Sequence, residues 1–149
     1  MTSSSPPVPR IAVILGIAGL APQIWALLET FNETNRYVGL AAGYFYAALI
    51  FSFLGGLWWG VASSREDAPE WLYVIAVVPS LIAFTTGIPW MTGAPWPGPS
   101  LAVLGACMLA APFVDLVLFK AGFINAGLLR LRFGLSLGLG GLTLFLAVR

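Results

Sequence analysis

Five uninterrupted apolar runs of spanning length follow one another along the chain, separated only by short polar or proline-rich breaks. A helix needs about 20 such residues to cross a ~30 Å hydrocarbon core. No other feature constrains the fold as strongly, because in lipid each run must satisfy its own backbone hydrogen bonds, and a helix does so within one segment. The runs are continuous rather than alternating, which disfavours a closed β-barrel. The sequence therefore reads as an all-α integral membrane protein, a single bundle of five transmembrane helices. The spans fall at about 11–28, 40–62, 71–90, 101–119 and 128–148, within one domain covering 11–149. The short connections make neighbouring helices antiparallel. Residues 1–10, MTSSSPPVPR, read as a disordered tail. The run that follows lacks small residues at a cleavage spacing, so it reads as a retained span and not a signal peptide.

Orientation follows from counting Lys and Arg on each side of the membrane. With the N-terminus cytoplasmic, Arg10, Arg65, Lys120, Arg130 and Arg132 lie inside, against Arg36 and Arg149 outside. The expected arrangement is N-terminus in, C-terminus on the opposite side.

Charge and residue usage narrow the chemistry. Charged residues make up 9% of the chain, far below the roughly 25% of soluble domains, and the formal charge of +1 offers no basic face, so nucleic acid is not an expected partner. There is no histidine, the commonest metal ligand and general base. The single cysteine, Cys107, sits in the apolar run LAVLGACMLA as a small hydrophobe. No metal, cofactor or catalytic constellation is indicated, and the chain reads as a non-enzyme.

Small residues form the clearest pattern within the spans. Ser52, Gly56 and Gly60 recur every four residues on one face of the second helix, with Gly55 beside them, and Gly134 with Gly138 gives the fifth helix a similar stripe. Such stripes let helix backbones approach closely, so the two stripes are expected to pack together within the chain, with a dimer interface as the alternative. Next to them, Trp58 and Trp59 point about 100° apart. One can anchor at the headgroup level while the other faces the bundle, either as packing or as the wall of a ligand pocket.

Asp115, in APFVDLVLFK, is the acidic residue buried in a predicted span, and such a group needs a partner or a task. Arg130 and Arg132 open the fifth helix at a similar depth on different sides, and one of them is expected to meet it, as a structural clamp or as the polar element of a site. Pro22, Pro79 and Pro112 lie inside spans and free backbone carbonyls. Ser80, with Thr85 and Thr86, either satisfies these groups or lines a small polar pocket facing Asp115.

The segments GIAGLAP, GYFYAALIFSFLGGLWWG and VVPSLIAF, then an Asp in the fourth span followed by LLRLRFGLSL, together resemble the small five-helix membrane family known as domain of unknown function (DUF) 3429. The resemblance covers nearly the whole chain after Arg10. It implies the five-helix topology, a multi-pass location in the bacterial inner membrane, and that Ser52, Gly55, Gly56, Trp59, Gly60, Pro79, Ser80, Asp115, Arg130 and Arg132 fall on the family's pattern. The family has a histidine before its Trp-Gly pair where this chain has Trp58, so a role that needs an imidazole does not carry over. The expected function is non-enzymatic: packing into or supporting a membrane assembly, through a membrane-protein partner or a second copy of the chain, or binding lipid. The alternative is binding or transport of a small molecule in a cytoplasmic-side pocket lined by Trp59, Asp115 and Arg132.

Overall fold

The computed structural model describes residues 8–149 and consists, among them, of helices and short connections. The expected tail lies mostly outside the described residues; Val8 and Pro9 lead directly into a helix that begins at Arg10. The helices are α1 (Arg10–Ala18), α2 (Ala21–Glu29), α3 (Arg36–Ser63), α4 (Glu70–Met91), α5 (Gly98–Lys120) and α6 (Ala126–Leu146). With α1 and α2 taken as one crossing, five helical stretches are long and apolar enough to span a membrane.

The first span departs from expectation. It is two helices broken at Gly19 and Leu20, because Pro22 near the start of α2 has no N–H to continue the ladder from α1. Tyr46 on α3 donates a hydrogen bond to the Gly19 carbonyl at this break. Pro79 and Pro112, by contrast, stay inside continuous helices, where Thr85 and Thr86 hydrogen-bond back to carbonyls of their own helix.

Each central helix buries one stripe. On α3 it runs Leu40, Tyr44, Ala47, Phe51, Gly55, Trp58 and Ala62, steps of three and four that keep these positions on one face. On α5 the same spacing carries Leu101, Leu104, Met108, Ala111, Asp115 and Leu118. α3 and α4 form one closely packed pair and α5 and α6 another, with α2 against α3.

Of the glycines expected to pack, Gly55 makes the close approach on α3, joined by Gly39 nearer the start of that helix. A methyl group at Gly55 would sit 2.3 Å from the Ala76 carbonyl of α4, and one at Gly39 would sit 2.5 Å from the Ala26 carbonyl of α2. Gly56, Gly60 and Gly134 meet nothing within 4 Å, and Gly138 faces Leu20. The two stripes therefore do not pack on each other. The Ser52–Gly56–Gly60 face points out of the bundle, because the heptad-like stripe through Phe51, Gly55 and Trp58 is the one that turns inward.

Candidate functional site

α3, α5 and α6 bring three polar side chains together near the end of the bundle where α1 and α6 begin. Asp115 is fully buried, five residues before the end of α5, or roughly 7–8 Å along the helix axis. Trp58 Nε1 donates to Asp115 Oδ1 at 2.8 Å, and Arg132 Nη2 lies 2.8 Å from the same oxygen. The arginine makes a charge contact there and not an aligned hydrogen bond, and Arg132 Nε and Asp115 Oδ2 are buried without a hydrogen-bond partner. An incompletely bonded ion pair in the membrane interior is costly, and each member depends on the other to remain buried.

Of the two arginines and two tryptophans named from the sequence, one of each meets Asp115. Arg132 is buried, whereas Arg130, two positions earlier, is exposed. Trp58 is buried, whereas Trp59 is 48% exposed and stacks edge-on against Tyr73 with ring centroids 5.0 Å apart. Trp59 is therefore not part of the Asp115 cluster. Pro79 packs against Gly55, while Ser80 is exposed and lines a separate shallow groove with Tyr44, Ser52 and Trp90. Neither reaches Asp115.

Trp58→Phe removes the one aligned donor to Asp115 and also leaves part of a buried site empty, and is expected to cost at least about 1–3 kcal/mol. Trp59→Phe is expected to stay within about 0.5 kcal/mol of the parent, as for other surface changes. Thermal unfolding of both variants in detergent checks the ordering, and equal effects would mean that the bond to Asp115 contributes nothing.

Beside this cluster lies a crevice of about 510 Å³ between α1, α3 and α6. Its walls are apolar, from Ala12 to Leu20 on the first span, Ile50 to Val61 on α3 and Leu128 to Leu139 on α6, and its polar side chains are Arg132 and Ser136. Asp115 sits behind Arg132 and does not itself line the crevice. Past its far end is a second buried polar contact absent from the sequence reading: Gln23 Nε2 donates to Thr143 Oγ1 at 3.0 Å, and Thr143 in turn donates to the Leu139 carbonyl at 2.7 Å. The signal was present in APQIWALL, where Gln23 is the one amide among apolar side chains.

An all-helical bundle with five apolar spans and a charged cluster buried among them is a multi-pass membrane protein. More particularly, residues 8–148 match the family described as protein of unknown function (DUF3429), and the chain belongs to that family. Comparison with curated proteins and with solved structures gave no match.

Proposed function

We propose that the protein is a non-catalytic, multi-pass protein of the bacterial inner membrane, with its N-terminus cytoplasmic, that binds a lipid-like amphiphile in the crevice between α1, α3 and α6. The observation that carries this reading is the crevice itself. Its volume of about 510 Å³ falls within the 300–1,000 Å³ of ordinary ligand sites, and a single buried cation interrupts its apolar wall. The pocket of this reading differs from the one expected from sequence, since Arg132 lines it while Trp59 and Asp115 do not. The absence of histidine from the chain supports a binding role over a catalytic one. Binding is favoured over transport because five spans do not divide into the paired halves of repeat-built transporters.

The test is purification from the native membrane in mild detergent, followed by native mass spectrometry. A stoichiometric amphiphile retained on the folded protein is expected, and a folded protein carrying detergent alone would sink the reading. A second reading, support of a membrane assembly, is favoured by the open Ser52–Gly56–Gly60 face. In the same experiment it would appear as a foreign subunit, or a second copy, that is lost in Gly56→Ile.

A further inference from the structure

Resting on the crevice as a binding site, we infer that its occupant is an anionic phospholipid of the leaflet on the N-terminal side, with one acyl chain in the crevice and its phosphate at the mouth, between the starts of α1 and α6. The first argument is depth. The α6 wall runs from Leu128 to Leu139 and the α3 wall from Ile50 to Val61. Each is eleven residue steps, or roughly 16 Å of helix rise, about half of a ~30 Å hydrocarbon core. The crevice thus starts near one membrane face and ends near the midplane, as an acyl chain of that leaflet does.

The second argument is charge. α1 and α6 both begin at the mouth, close together: a methyl group at Gly127 would meet Val8 Cγ2 at 3.0 Å. Arg10 starts α1, and Arg132, which lines the crevice, lies in the second turn of α6; Arg130, about 200° round the helix from it, faces the other way. Neither helix carries an acidic residue. The two helix N-termini add positive partial charge at the same place. The acids at this end are Asp115, held by Trp58 and Arg132, and Glu66, Asp67 and Glu70 on the α3–α4 connection and the start of α4. Asp67 is already paired with Arg65 at 2.9 Å, and α4 contributes nothing to the crevice wall. The mouth is therefore basic at the starts of α1 and α6, whereas the depth of the crevice is apolar. An amphiphile with a negative head and a hydrocarbon tail matches both.

Basic residues at a lipid surface favour anionic over neutral headgroups by about fivefold each. The experiment delivers an equimolar mixture of phosphatidylglycerol and phosphatidylcholine, with identical chains, to delipidated full-length protein and counts each bound lipid by native mass spectrometry. Phosphatidylglycerol is expected to be retained preferentially. The preference should fall about fivefold in Arg10→Gln. Arg130→Gln, on the face of α6 turned from the crevice, and Lys120→Gln, at the end of α5, should leave it unchanged. Leu54→Trp fills the crevice and should abolish retention of both lipids; Ser136→Phe, from the α6 wall, serves the same purpose if Leu54→Trp does not fold. Equal retention of the two lipids, blocked by Leu54→Trp or Ser136→Phe, would overturn the headgroup inference while leaving the crevice as a binding site. Retention that survives both blocking variants would remove the crevice reading itself. A lipid-free dimer would show that a second copy of the chain fills the crevice, which overturns the inference too.

Discussion

Asp115→Asn is expected to destabilise the folded bundle by about 3–5 kcal/mol, although it changes neither the size nor the shape of the side chain. The substitution leaves the Arg132 guanidinium buried with no counter-charge, in surroundings where its Nε has no partner in the parent protein. The loss comes mostly from that stranded cation and not from the attraction it forfeits. The double variant Asp115→Asn with Arg132→Leu removes both charges and should recover most of the loss, because paired buried charges are often replaceable by apolar groups of similar volume. Unfolding in mixed micelles of the parent, the two single variants and the double variant gives the coupling directly. If Asp115→Asn unfolded with the parent, the contact would have no energetic weight and Asp115 would need another explanation.

Gly55→Ala and Gly56→Ala, one position apart, are expected to act in opposite directions. The first places a methyl group 2.3 Å from the Ala76 carbonyl and 3.2 Å from Pro79 Cγ, so that α3 and α4 must separate or bend. Overpacking of this kind costs about 1–3 kcal/mol, and more where the obstructing atom is backbone that cannot rotate away. The second meets nothing within 4 Å and gains up to about 1 kcal/mol from the better helix propensity of alanine. Thermal unfolding in detergent decides the matter. A larger loss at Gly56 than at Gly55 would place the tight helix contact on the other face and contradict the packing described here.

These two positions also show what was legible beforehand. The existence of five long apolar helices was readable because lipid demands them. The facing of the spans was not, since a membrane helix is apolar on both its buried and its lipid-exposed sides and carries no amphipathic stripe to read. The spacing of Ser52, Gly56 and Gly60 was therefore as good a candidate for the packed face as the true one through Phe51, Gly55 and Trp58. For the same reason Trp58 could not be distinguished from Trp59. Asp115 was recognisable because a carboxylate is conspicuous in hydrocarbon, but its partner was not. Arg130 and Arg132 are separated by half a helical turn, and only the phase of α6 against α5 decides which one turns inward. The break at Gly19 and Leu20 was foreshadowed by Pro22, a local signal that needs no tertiary context.

That break divides the first span into halves of unequal attachment. α2 sends Gln23, Ala26 and Leu27 into the interior, whereas α1 buries no residue of its own and rests on α6 through Gly16 and Leu135. Tyr46 grips the chain at the joint and not along the panel beyond it. Swinging that panel aside from the joint would withdraw none of its own side chains from the core, and would open the crevice sideways into the hydrocarbon of the surrounding leaflet. A molecule exchanging through such a door would travel from bilayer to protein without passing through water.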